Sequence, residues 1–105
     1  MSAVKLMVLY PQPKNVAQFE QDYQAHIALL HEQMDIPTSD KPYSVTKMMA
    51  GPAGTAPFYQ MFSMPFPDIE TLKAVLSSDA MQVVAADASR ISSGGEPVVL
   101  IGKDN

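Results

Sequence analysis

The sequence has no cysteine among its 105 residues, which excludes disulfide bonds, thiolate nucleophiles and cysteine-ligated metal sites. Positive charge is scarce as well: the sequence has seven Lys and Arg residues against eleven Asp and Glu residues, which gives a net charge of −4. The basic residues are scattered and form no stripe of the kind that binds nucleic-acid phosphates. Long apolar runs are also absent, so we expect neither a signal peptide nor a membrane span. These absences predict a cytoplasmic protein that binds neither nucleic acid nor a membrane.

The sequence does contain enough apolar residues for one core. Apolar residues make up 47% of the chain and charged residues 17%, which predicts a single domain over residues 1–105. A domain of this size buries only about 60–70% of the surface that its unfolded chain exposes. We therefore expect any large apolar face that remains to be covered by a partner.

The order of predicted elements indicates the fold. Residues 3–10 are apolar on nearly both faces and predict a strand, and Asn15 with Gln18 predicts a capping box at the start of a helix that runs to about residue 34. The other elements are strands over 42–50 and 57–65 around the Gly51–Gly54 turn, a helix from Asp68, a short helical piece from Ser78 to Gly94, and a strand over 97–102. The order βαββαβ predicts a ferredoxin-like α+β fold with a four-stranded antiparallel sheet.

A homodimer is predicted from the faces of that sheet. Both helices of this fold lie on one face, which leaves the other face bare, yet the first and last strands are apolar on both faces. Two copies that pack sheet on sheet would hide these side chains, whereas an ordinary monomer would leave them exposed.

One histidine lies within the apolar stripe of the first helix. The stripe consists of Val16, Phe19, Tyr23, His26, Ile27, Leu30 and Met34. His26 either binds or activates a ligand in a cavity between this helix and the sheet, or is a core histidine hydrogen-bonded to a neighbour. His31 is about 140° away around the helix, so the two histidines do not share a metal ion, and no metal site is predicted. His31 is expected at the helix flank and receives no function.

Other candidate residues are a carboxylate and several aromatic rings. Asp87 stands alone among small apolar residues, and it either orients His26 or occupies a solvated position. Aromatic residues that either line a cavity for an apolar or aromatic molecule or belong to the plain core are Tyr10, Tyr23, Tyr43, Phe58, Tyr59 and Phe62.

Two segments of the sequence carry motifs of a known family. The opening has Tyr10-Pro11 and a helix with Tyr23-Gln-Ala-His26, and the tail has Asp87 followed by Gly94–Gly95. Together these segments resemble the EthD family, named for ethyl tert-butyl ether degradation. The resemblance implies a dimeric α/β barrel in which two ferredoxin-like sheets face each other, and it favours His26 and Asp87 as functional residues. The family usually has a proline two residues after this histidine, whereas this sequence has Ala28, so we expect the helix to continue unbroken.

Two classes of function follow from this resemblance. The first is a cofactor-independent oxygenase, isomerase or cyclase that acts on a small apolar or aromatic molecule in a degradative pathway. In this class, His26 and Asp87 are the catalytic residues and Tyr10, Tyr23, Phe58 and Tyr59 contact the ligand. The second is a non-catalytic accessory protein that binds an organic ligand or heme, with His26 as the axial ligand of the iron.

Overall fold

A computed structural model describes residues 3–104; residues 1, 2 and 105 of the predicted domain lie outside them. The elements in order are β1 (Val4–Pro11), α1 (Val16–Gln33), β2 (Ser44–Lys47), β3 (Phe58–Phe66), α2 (Ile69–Leu76), α3 (Asp79–Ile91) and β4 (Val98–Lys103). The strands form one antiparallel sheet in the order β2-β3-β1-β4. The predicted ferredoxin-like fold is confirmed, although two helices stand between β3 and β4, so the order is βαββααβ.

Helix α1 begins at the predicted cap. The side chain of Asn15 accepts a hydrogen bond from the backbone N–H of Gln18 at 3.0 Å. The other half of the predicted capping box does not form, because the Gln18 side chain donates to Asp22 instead. The helix then continues to Gln33 without a break, as the lack of a proline after His26 predicted.

The buried stripe of α1 is shorter than the sequence pattern predicted. Val16, the first residue of the helix, is 47% exposed, whereas Phe19 three residues later is buried. Met34 caps the end of the helix and is not part of it. The fully buried side chains of α1 are Phe19, Tyr23, His26 and Leu30.

Strand β2 is also shorter than the predicted 42–50. It pairs only with β3, at the edge of the sheet, and its ladder ends at Lys47 opposite Gln60. In the same register Pro57, which has no N–H to donate, would lie opposite Ala50, the last residue of the predicted strand. The chain therefore leaves the sheet soon after Met48, whose N–H donates to the carbonyl of Tyr59.

The sheet buries one face beneath the helices. Val4, Leu6 and Tyr10 of β1 point to the helices and are buried, whereas Met7 and Leu9 point to the opposite face and are half-buried. The edge strand β4 keeps apolar side chains exposed on both faces; these are Val98, Val99, Leu100 and Ile101. One face of the sheet therefore has no covering element within residues 3–104.

The Gly94–Gly95 pair links α3 to the start of the chain. A Cβ atom at Gly94 would lie 1.9 Å from the backbone oxygen of Gln12, so only glycine fits there. Gly95 has a φ of +136°, which L side chains rarely adopt. Ser93 accepts a hydrogen bond from the backbone N–H of Lys14 at 3.0 Å, so this tail packs against the β1–α1 connection.

Candidate functional site

His26 and Asp87 meet where α1 packs against α3. The third turn of α1 directs His26 inward, and the penultimate turn of α3 brings Asp87 opposite to it. The Nδ1 atom of His26 lies 2.8 Å from the Oδ2 atom of Asp87. His26 is 5% exposed, so this hydrogen bond is made inside the domain. Of the two alternatives for Asp87, the structure places the carboxylate against His26 and not in a solvated position.

The electrostatics of this dyad favour a neutral imidazole and an ionised carboxylate. Burial lowers the pKa of His26, and the hydrogen bond with Asp87 only partly opposes this effect. Partial desolvation alone would raise the pKa of Asp87, but hydrogen bonds from His26 and Arg90 outweigh it and lower that pKa. An ionised carboxylate can only accept, so Nδ1 carries the proton and Nε2 has a free lone pair.

Arg90 holds the second oxygen of the carboxylate. Its Nε atom donates to the Oδ1 atom of Asp87 at 2.8 Å, three residues along the same helix. With one oxygen bound by Arg90, the other faces His26. The sequence reasoning missed Arg90, although its spacing of three residues from Asp87 on a helix was a usable signal.

His26 lines a cavity of about 290 Å³ between the sheet and the helices. Helix α3 supplies six of the lining residues and α1 only two, so the cavity lies mainly beneath α3 and not beneath α1 as expected. Its walls are mostly apolar, with Leu6, Leu30, Phe62, Met81 and Val84 among the lining residues. Of the ring nitrogens of His26, Nε2 makes no hydrogen bond to any residue in 3–104 and is available to a bound molecule.

Tyr10 is the predicted ligand contact that the structure places in the cavity wall. Burial raises the pKa of its hydroxyl, and the charge of Asp87 raises it further, so the group remains protonated. No residue in 3–104 hydrogen-bonds to this hydroxyl, which leaves it free to donate to a ligand. The Tyr10 ring also packs edge-on against Tyr23, with ring centroids 5.6 Å apart.

Tyr23 does not line the cavity but supports the residues that do. Its ring lies 5.7 Å from the His26 ring and packs against Tyr10 on another side. Burial raises the pKa of its hydroxyl, and the nearby Gln60 side chain opposes this effect only in part. Within the described chain, neither this hydroxyl nor the Gln60 nitrogen makes a hydrogen bond of good geometry. Tyr23 therefore contacts His26 through its ring.

The other two predicted ligand contacts lie outside this cavity. Tyr59 donates a hydrogen bond to Glu20, which also accepts one from Lys47. Phe58 is half-buried at the irregular end of the β1–β3 pairing, where its carbonyl accepts from Gln12 at 3.2 Å. The structure thus places His26 and Tyr10 in the cavity wall, with Asp87 bonded to His26, and leaves Phe58 and Tyr59 near Tyr10 on the sheet but outside the cavity.

Within residues 3–104, no group of three or more His, Cys, Asp or Glu side chains is placed to hold a metal ion. None of the helices in the same range is long and apolar enough to cross a bilayer.

Solved structures with the same fold include one close relative. An EthD family protein from Bacillus halodurans superposes with a TM-score of 0.81 at 27% identity, covering 98% of this chain and 99% of that one. A hydroxynitrile lyase from Passiflora edulis superposes with a TM-score of 0.69 at 17% identity over 98% and 94% of the two chains. A dimeric ferredoxin-like protein of unknown function from Jannaschia sp. gives 0.67 at 13% identity over 96% and 97%.

Sequence comparison agrees with these superpositions. No curated protein matches the chain significantly. The family model that matches is the EthD domain, over residues 12–95, a range that holds His26, Asp87 and the Gly94–Gly95 pair. The chain therefore belongs to the EthD domain family.

Proposed function

We propose that this protein is a cofactor-independent enzyme that moves a proton on a small, mostly apolar molecule, with His26 as the base. The observation that carries the proposal is the 2.8 Å hydrogen bond from His26 Nδ1 to Asp87, combined with an Nε2 atom free at the cavity wall. A buried carboxylate that fixes the tautomer of a histidine is a recurrent way to make its other nitrogen a general base.

The chemistry follows from the positions of three side chains. His26 Nε2 accepts a proton from a C–H or O–H group of the bound molecule, and Asp87 stabilises the imidazolium that forms. The Tyr10 hydroxyl donates to the oxygen on which negative charge develops. Return of the proton to a different atom completes an isomerisation or a cyclisation, and an oxygenase would add dioxygen as co-substrate after the same first step.

The Passiflora edulis protein supports this proposal at the level of the fold. A hydroxynitrile is cleaved when a base removes its hydroxyl proton, after which cyanide leaves and a carbonyl group remains. A lyase of this kind on the same fold shows that the fold accommodates proton transfer on a small organic molecule.

We also propose that two copies form a homodimer through the open face of the sheet. Across the strands, Met7 lies opposite Leu100, and Leu9 lies opposite Val98 and Met61, so these side chains form one apolar patch. The patch has no cover within residues 3–104, and exposed apolar surfaces of this kind usually mark an interface. The Jannaschia protein, described as dimeric, shares the fold.

The enzymatic proposal is tested with a general probe of proton abstraction. The ring of 5-nitrobenzisoxazole, a neutral bicyclic molecule, opens to a coloured phenolate when a base removes its C–H proton. We expect the protein to accelerate this reaction above the rate with free imidazole, and His26→Ala to abolish the acceleration. The matched control is His31→Ala, which removes the other histidine of the same helix.

Three outcomes would overturn the enzymatic proposal. The first is equal acceleration by the wild type and His26→Ala, and the second is binding of the probe, seen in amide NMR shifts, without any turnover. The third is a heme absorption band that requires His26, which would favour the alternative of a heme-binding protein.

A further inference from the structure

We infer that the cavity takes a neutral molecule of roughly ten non-hydrogen atoms with one weakly acidic group, and that Glu96 at the cavity mouth excludes anions. This inference rests on the proposed function, because it names the substrate class of the same site.

The volume of the cavity limits the size of the ligand. A water molecule occupies about 30 Å³ of liquid, and an engineered cavity of about 150 Å³ holds benzene. The present cavity, about 290 Å³, is nearly twice as large and suits a single aromatic ring with a short substituent.

The two ends of the cavity differ in polarity. The Leu6 end is lined by apolar side chains that belong to one buried cluster with Leu30 and Met81. Gln82, next to Met81, is the polar side chain at this end. The other polar groups lie towards Tyr10: Ser89 follows Ala88, which packs in one cluster with Tyr10. An amphiphilic cavity of this kind places the apolar body of a ligand at the Leu6 end and its polar head beside His26 and Tyr10.

Glu96 lies at this polar end. It precedes Pro97, which also lines the cavity, and Pro97 adjoins Val98, the residue of β4 that lies opposite Leu9. Glu96 is exposed and lies two residues before Val98, beyond the last β1–β4 pair, so it lies at the mouth of the cavity on the Tyr10 side. Its carboxylate is fixed by a hydrogen bond from the Ser89 hydroxyl at 2.9 Å.

The charges around this end disfavour an anionic head group. No lysine or arginine of residues 3–104 lines the cavity, whereas Glu96 does, and Asp87 stands behind His26. Arg90, the nearby cation, is already bound to Asp87. A permanent charge of either sign would also lose hydration in the apolar part of the cavity, so a neutral head group fits best. The weakly acidic group supplies the proton that His26 accepts.

The test measures binding of three small aromatic molecules by amide NMR titration at low ionic strength. The molecules are 4-ethylphenol, which is neutral and weakly acidic, ethylbenzene, which has no polar head, and the anion 4-methylbenzoate. We expect 4-ethylphenol to bind about threefold or more tighter than ethylbenzene, and this advantage to vanish in His26→Ala. We expect 4-methylbenzoate to bind at least about tenfold more weakly than 4-ethylphenol.

The variant Glu96→Gln isolates the charge at the mouth, because glutamine still accepts the hydrogen bond from Ser89. We expect it to tighten binding of 4-methylbenzoate about fivefold and to change binding of 4-ethylphenol less than about twofold. The matched control is Glu70→Gln, which removes the same charge from the exposed surface of α2 and is expected to change neither affinity.

The inference is overturned if 4-methylbenzoate binds the wild type as tightly as 4-ethylphenol, if Glu96→Gln behaves like Glu70→Gln, or if none of the three molecules binds. Turnover of 5-nitrobenzisoxazole alongside any of these results would leave the proposed function intact. The predicted order of affinities without turnover would support the substrate class and overturn the enzymatic proposal.

Discussion

Two histidines of the same helix have opposite surroundings. His26 donates from Nδ1 to Asp87 and presents Nε2 to a cavity. His31, five residues later, uses both nitrogens within the chain: Nδ1 donates to the carbonyl of Ile36 at 3.2 Å, and Nε2 bonds the Tyr43 hydroxyl at 2.6 Å.

The difference shows why burial and hydrogen bonding alone do not identify a functional histidine. Through these two hydrogen bonds His31 links the end of α1 to the segment that leads into β2, so neither ring nitrogen remains for a ligand. In His26 only Nδ1 is hydrogen-bonded, and its partner Asp87 fixes the tautomer in which Nε2 can accept a proton. The spare nitrogen beside a cavity distinguishes the candidate base from the structural residue.

The largest expected effect is on the reaction rate, when the hydrogen-bond partner of His26 is replaced and the partner of His31 serves as the control. Asp87→Asn keeps the shape of the side chain but removes the charge that selects the tautomer and stabilises the imidazolium. We expect the rate with 5-nitrobenzisoxazole to fall about 10²- to 10⁴-fold, while Tyr43→Phe leaves it unchanged. If Asp87→Asn lowered this rate less than about tenfold, Asp87 would only hold the His26 ring in place by a hydrogen bond, as Tyr43 does for His31.

The second prediction concerns stability. His31→Ala leaves the Tyr43 hydroxyl and the Ile36 carbonyl without a partner, which costs about 1–3 kcal/mol of unfolding free energy. For a domain of this length, we expect the melting temperature to fall by roughly 5–15 °C, measured by circular dichroism. Turnover per folded molecule should remain at the wild-type level, and a large loss of turnover would contradict the structural assignment of His31.

The third prediction is a pH dependence that belongs to His26. Because burial lowers its pKa in the folded chain below the ordinary value of 6.5, the unfolded chain binds more protons in the window below pH 6.5. Stability is therefore complete above that pH and falls as the pH decreases towards the folded pKa. Urea titrations from pH 7.5 to 4.5 should show a steeper loss for the wild type than for His26→Gln, and identical slopes would contradict a lowered pKa.

The smallest expected effect is that of Arg90, a positioning residue. Its side chain is 59% exposed, so the ion pair with Asp87 contributes little energy. We expect Arg90→Gln to reduce turnover about two- to fivefold and to shift the acid limb of the pH–rate profile, whereas Lys73→Gln on α2 changes neither. An unchanged profile in Arg90→Gln would mean that His26 alone orients Asp87.

Much of the fold was predictable because its signals are local. The three- and four-residue spacing from Phe19 to Leu30 identified α1 and the inward direction of His26, and Asn15 marked its start. The length of β2 was not predictable in the same way, because it depends on which residues of β3 lie opposite. The exposure of Val16 was not predictable either, because it shares the spacing of the buried residues and differs from Phe19 only in its surroundings.

For the site, the sequence alone determined that an imidazole lies on a buried helix face and that a lone carboxylate lies on a later helix. Only the tertiary structure decided that these two groups, 61 residues apart, meet at 2.8 Å, and that the cavity opens beneath α3. The same packing placed Tyr10 in the wall and Phe58 and Tyr59 elsewhere. The physical reason is that periodicity specifies which side of an element is buried, whereas the partner across an interface is selected by how whole elements pack together.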